Sequence, residues 1–164
     1  MSFRFVSSAV DPTGYLPCWY AKAGNDCSPP VGWAGLPPET GSIAVTCENL
    51  SATPEVLHWV LYDLAPYPAT VFGGLPKRPV LDFGSHQATN SFGVTGWTGP
   101  GEDGGIVTLT FTGYALPGPL GLPGGAPAAE VAELARENAL AICSFTGTYF
   151  PRRRRPACAS GAGG

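Results

Sequence analysis

The stretch EVLHWVLYDLAP, Glu55 to Pro66, decides the fold. Its inner part, VLHWVLYDL, is more continuously apolar than a strand with one wet face, and it suits a strand covered on both sides. It also poses the question of His58, one of two histidines in the chain, set between Leu57 and Trp59. A histidine among apolar residues is by default a core or interface side chain satisfied by a backbone hydrogen bond.

Working outward, GSIAVTCENL alternates Ile43, Val45 and Cys47 against Ala44 and Thr46, the period of a half-buried strand. Downstream, GIVTLTFTGYAL, Gly105 to Leu116, sets Val107, Leu109 and Phe111 against Thr108, Thr110 and Thr112 and is the clearest strand in the chain. Between Cys18 and Pro38, closely spaced Gly and Pro allow only loop and short strand. Pro66 to Gly105 has weak periodicity and is expected to form long ordered loops, the kind of segment in which function often sits. After the break PGPLGLPGGAP, the run AAEVAELARENALAI places Val131, Leu134, Ala135 and Asn138 on one stripe and Glu130, Glu133 and Glu137 on another, which predicts a helix over Pro127 to Ile142. CSFTGTYF closes as a last strand. The expected product is an all-β dominated single domain over residues 1–151, followed by a basic and then Gly/Ala-rich tail over residues 152–164.

Composition narrows the function classes. With 44% hydrophobic and 13% charged residues, the chain has the means to bury a core and is not kept unfolded by charge. The formal charge is −3, and four of the nine basic residues form the run Arg152 to Arg155, so the rest of the chain is more acidic still. A nucleic-acid partner is not expected from that balance. Five cysteines, with no pair at CxxC spacing, do not suggest a metal knuckle, and no cofactor is expected. The N-terminal MSFRFVSSAVDP lacks the pattern of a secretory signal and no apolar run approaches a membrane span, so a cytoplasmic protein with reduced thiols and no stable membrane insertion is the expectation.

Several blocks, in order and spacing, carry a resemblance: GNDCSPPVGWAGLPPETGSIAV, then HWVLYDL, then GWTGP, then GYAL, then the helix and GTYFPR. Together they resemble the phosphatidylethanolamine-binding protein (PEBP) family, in particular its bacterial Raf-kinase-inhibitor-like branch, from about Asn25 to Arg152. The resemblance implies an antiparallel β-sandwich of two sheets with a C-terminal α-helix, and a surface pocket for a small anion or phospho head group. His58 and Trp59 match that family's His-Trp pair, whose histidine lines the pocket. Glu48 matches the first carboxylate of the preceding strand end, and Trp97, Gly99 and Pro100 keep a glycine-aromatic block that borders the same pocket.

The departures matter as much. ENLSATP stands where the family carries an Asp-Pro-Asp-Ala-Pro-like stretch, so Ser51 replaces an acid. Val107, Thr108 and Leu109 stand where the family has His-Arg-Tyr, and Asn138 where a histidine is common. Hydrocarbon cannot replace charge-assisted hydrogen bonds to an anion, so phosphate binding should be weakened. The expected site is a pocket around His58 for a small, largely apolar organic molecule, with Glu48, Trp97, Gly99, Pro100, Val107 and Leu109 as further ligand-binding candidates.

The alternative is an enzyme on the same pocket, with His58 and Glu48 as acid and base, acting as a cofactor-independent cyclase of pericyclic type, an isomerase or a dehydratase of specialised metabolism. No nucleophile elbow, phosphate loop or HExxH helix is present, which disfavours hydrolase, kinase and metalloprotease chemistry. A protein partner has no specific signal. Glu102 and Asp103 read as a solvated acidic turn, and His86 as an exposed residue of a polar loop.

Overall fold

The computed structural model describes residues 2–103 and 105–151; the expected tail lies outside them. Three short strands, β1 (Arg4–Val6), β2 (Val31–Ala34) and β5 (Thr70–Val71), form one antiparallel sheet in the order β1-β2-β5. The second sheet contains β3 (Ser42–Asn49), β4 (Val56–Leu64), β6 (His86–Gln87), β7 (Val107–Leu116) and β8 (Ala141–Tyr149), in the order β6-β4-β3-β7-β8, with every pairing antiparallel. Helix α1 (Ala128–Asn138) supplies the third layer.

Strand alternation sorts the side chains of the larger sheet into two cores. Ile43, Val45, Trp59, Leu61, Leu109 and Phe111 meet Phe5, Val31 and Trp33 of the smaller sheet. On the other face Ala44, Val60, Tyr62, Tyr114 and Leu116 pack with Val131 and Ala135 of α1. β4 is therefore covered on both faces, as its continuous apolar run requires. β3 differs from expectation: Ala44 and Thr46 are as buried as Ile43 and Val45, so the strand is not half-wet. Its alternation reflects two different burying layers, large residues toward the second sheet and a small one beneath the helix. Gly113 makes room for Phe5 of the smaller sheet, because a Cβ there would lie 2.7 Å from the Phe5 ring.

The helix ends at Asn138, short of the expected Ile142. Ala141 and Ile142 are claimed instead by β8, where they pair with Ala115 and Tyr114 of β7. The amide of Leu140 donates to the Ala115 carbonyl at 2.7 Å and fixes that turn. Ladder hydrogen bonds to an existing sheet thus override a helical stripe that the last residues only weakly continue. The described part of the long segment after Pro66 is mostly irregular and contributes the short strands β5 and β6 to the two sheets.

Candidate functional site

A register shift between β3 and β4 creates the site. Cys47 pairs with Trp59, but the next residue, Glu48, pairs with Leu57, which leaves His58 as the extra residue of the bulge. The consequence follows from the period of two. Trp59 points into the core between the sheets and Leu57 packs toward the helix side. His58, freed from alternation, joins the Trp59 side at the end of the sandwich, beside Asn49, Val56 and Val107.

Asn90 ties the bulge to the loop that follows β6. Its side-chain amide donates to the carbonyls of His58 (3.1 Å) and Gly96 (3.0 Å) and to the Thr98 hydroxyl (2.9 Å). Its carbonyl accepts from the amides of Phe92 (2.9 Å) and Val94 (3.1 Å). The Thr98 amide donates to the His58 carbonyl at 3.0 Å. The Trp97–Pro100 loop is held from its other side by Asp26, whose carboxylate accepts from the Gly99 amide at 2.7 Å and from Lys77 at 2.9 Å. Gly99 has to be glycine, since a Cβ would fall 2.2 Å from the Tyr20 carbonyl.

The His58 ring is 4% exposed, and its Nδ1 lies 2.7 Å from the Thr98 carbonyl. A carbonyl only accepts, so Nδ1 carries the proton and Nε2 of the neutral ring presents a lone pair. Burial is the main force holding the pKa below the ordinary histidine value; the Lys22 charge adds to it, and the Thr98 hydrogen bond and Asp26 oppose it. Phe92 packs on the ring with centroids 5.1 Å apart, and the Lys22 ammonium stands 4.9 Å from the Phe92 centroid.

His58, Phe92, Val56, Pro100, Ile106 and Val107 line a cavity of about 370 Å³, with Asn49 and Ser51 at one side. Of the residues singled out from sequence, His58, Pro100 and Val107 lie in this lining. Gly99 stands behind it, its amide spent on Asp26. Trp97 and Leu109 are 1% and 0% exposed and belong to the core between the sheets; Trp97 packs edge-on to Trp59 at 5.7 Å and stacks with Phe111 at 6.2 Å. Their large apolar surfaces are more fully satisfied there than in a cavity wall.

Glu48 is not brought to His58. The same bulge that moves His58 to one face leaves Glu48 on the other, in a separate cavity with Thr110, Thr112 and Arg136. Burial raises its pKa, with Arg136 opposing and Glu55 adding to the rise. Glu102 accepts a hydrogen bond from the Tyr149 hydroxyl. His86 is not an exposed loop residue: it lies in β6, with Nδ1 at 2.7 Å from Asp63. Cys27, Cys47 and Cys143 are free thiols. Asp26, Asn90, Phe92 and Ile106 were not singled out from sequence. Asp26 lies inside the block GNDCSPP, the nearest thing to a signal; Asn90 and Phe92 sit in an aperiodic segment that offers none, and Ile106 stands at the start of the alternating run Gly105 to Leu116, outside the positions that the motif blocks mark.

A two-sheet sandwich with a helix on its outer face and a histidine-lined cavity at one end defines the class of fold. The family described as phosphatidylethanolamine-binding protein matches residues 6–150, and the chain belongs to it. The UPF0098 protein of Methanothermobacter thermautotrophicus is 32% identical over 142 residues, which cover 86% of this chain and 94% of that one. LppC of Mycobacterium tuberculosis, a lipoprotein by its name, is 28% identical over 82% of this chain and 65% of its own length. Among solved structures, Escherichia coli YbcL, described as a member of the mammalian PEBP family, superposes with a TM-score of 0.79 and 21% identity over 92% of this chain and 99% of its own, a likeness of fold.

Proposed function

We propose that the protein holds a small, largely apolar organic molecule in the cavity at His58, through a hydrogen bond that the ligand donates to Nε2. The observation that carries this reading is the spent Nδ1 proton. A buried neutral imidazole whose only N–H already serves Thr98 has nothing left to give an anion, whereas it accepts readily from a hydroxyl or amide. Val56, Ile106, Val107 and Phe92 supply the apolar remainder of the wall. The weakening of phosphate binding drawn from Val107, Thr108 and Leu109 is thereby supported by a second, independent cause.

The enzymatic alternative used His58 and Glu48 as acid and base, or as fixed hydrogen-bond donors and dipoles; their placement in different cavities counts against the joint acid and base role and supports binding as the first reading. No helix among the described residues is long and apolar enough to cross a membrane. A cytoplasmic setting remains our proposal, set against the lipoprotein name of LppC.

Two measurements test the reading. Calorimetry with phosphate and with phosphorylethanolamine is expected to give affinity no better than millimolar, about −4 kcal/mol; low-micromolar binding of either overturns it. Nitrogen NMR of the His58 ring at neutral pH is expected to show Nε2 as the unprotonated nitrogen, with a shift on addition of benzyl alcohol as a compact hydroxyl-bearing probe. A ring protonated on both nitrogens, or one indifferent to the probe, counts against it.

A further inference from the structure

The helix covers only part of its face of the larger sheet. Beyond Tyr114 that face carries a polar patch where alternation would permit hydrocarbon: Thr46 pairs with Thr112, and Thr112 with Ser144, across three adjacent strands. The Thr112 and Ser144 hydroxyls are hydrogen-bonded to each other at 2.9 Å. The next row sets Glu48 beside Thr110. Arg136 at the end of α1, Glu55 before β4, and the apolar side chains of Leu50 and Ile142 wall this patch into a cavity of about 390 Å³.

Within it Glu48 is poorly provided for. It is 7% exposed, and among the described residues its one side-chain hydrogen bond is a long contact, 3.4 Å from the Thr46 hydroxyl. Arg136 is near enough to act on the Glu48 charge, yet the two make no ion pair. A buried carboxylate costs stability unless it is paired, and a guanidinium is among the best partners available. Here a buried acid and an exposed base line one cavity without meeting, with a second, exposed acid, Glu55, at its rim.

We propose that this second cavity is a binding site for a small α-amino acid with an apolar side chain. Its ammonium group sits between Glu48 and Glu55, its carboxylate on Arg136, and its side chain against Leu50 and Ile142. The zwitterion supplies both charges that the cavity leaves unpaired. Two carboxylates against one guanidinium suit an ammonium better than they suit an anion, and planar donors of Arg136 suit a carboxylate. A neutral polyol would use the hydroxyl ladder but would leave the buried Glu48 without a cationic partner. This site is distinct from that at His58 and does not depend on its reading.

The test is a titration of the isotope-labelled full chain with L-leucine, followed by amide NMR. The expected result is saturable shifts at Glu48, Thr110, Thr112 and Ser144. N-acetyl-leucine, which lacks the ammonium, and leucinamide, which lacks the carboxylate, should each bind at least about tenfold more weakly. Glu48→Gln and Arg136→Gln should each weaken leucine by a similar factor, with spectra that otherwise remain folded, and His58→Ala should leave leucine binding unchanged. No saturable shift in the millimolar range overturns the proposal. So does binding of glucose with equal strength, or leucine binding that survives both charge-removing substitutions.

Discussion

His58 and Glu48 come from adjacent antiparallel strands, and a single register shift sends them to opposite faces of one sheet. Their surroundings then diverge. Around His58 the polar groups of the bulge and the Trp97–Pro100 loop are tied together by Asn90, Thr98 and Asp26. Around Glu48 the ladder toward β7 is regular, while among the described residues the carboxylate keeps one long hydrogen bond and no ion pair. The difference shows where specificity is built. At His58 irregular backbone is tied by side chains so that one ring nitrogen is committed to the Thr98 carbonyl, whereas at Glu48 the ladder shared with β7 presents polar side chains that tie the carboxylate only weakly.

The largest effect should come from removing the packing behind the His58 loop. Trp97→Ala deletes a ring enclosed by Trp59 and Phe111 and the hydrogen bond from its Nε1 to the Tyr20 carbonyl. A loss of about 3–5 kcal/mol in urea-induced unfolding is expected, and a loss below about 1 kcal/mol would place Trp97 in a mobile wall rather than a core. Asn90→Ala comes next, since it strands the Gly96 carbonyl and the Phe92 and Val94 amides together and leaves the His58 carbonyl with the Thr98 amide alone; about 2–3 kcal/mol is expected by the same measurement. Thr112→Ser on the opposite face, which keeps the hydroxyl, should cost clearly less. If Asn90→Ala costs no more than Thr112→Ser, the contrast between a tied and an untied face is wrong.

How much of this was legible in the sequence follows from the same contrast. Apolar period and turn residues are local signals, and they located β3, β4, β7, β8 and the helix, while the ordered motif blocks supplied the sandwich itself. The bulge is not a local signal, because it arises from how two strands count against each other. A reader of HWVLYDL who alternates faithfully assigns His58 to the helix side with Val60, and a reader of CEN places Glu48 near His58. Trp97 and Leu109 were misplaced for a related reason: motif position says that a residue is near the site, but the depth of its side chain depends on partners such as Phe111 that are near only in space. Asn90 satisfies backbone groups, and that need appears only once the backbone path is known.

His58→Ala sharpens the comparison through pH. At neutral pH it leaves the Thr98 carbonyl without its partner, and a loss of about 1 kcal/mol is expected. The native ring has a pKa below the ordinary histidine value, so as pH falls below that value the unfolded chain takes up a proton that the folded chain refuses. Wild-type stability therefore drops as pH falls from the ordinary value through the native one, and the alanine variant escapes this drop. The two stability curves should converge toward acid pH. Curves that stay parallel across that window would mean that the native ring titrates like a free histidine and that burial does not hold it neutral.

The smallest expected effect has the opposite sign. Burial raises the Glu48 carboxyl pKa above its ordinary value, so the folded chain holds this proton more tightly than the unfolded chain does. Stability is then highest below the unfolded pKa and declines as pH rises through the native one, above which the charged, buried carboxylate is a fixed cost. Glu48→Gln keeps the shape and removes that charge, so it should stabilise the protein slightly at neutral pH, with the gain fading at pH values below the ordinary glutamate range. Thermal melts of the two proteins at neutral and at acid pH check this without any ligand present. A variant less stable at neutral pH would mean that Arg136 already compensates Glu48, and the untied carboxylate that separates this face from the His58 face would not exist.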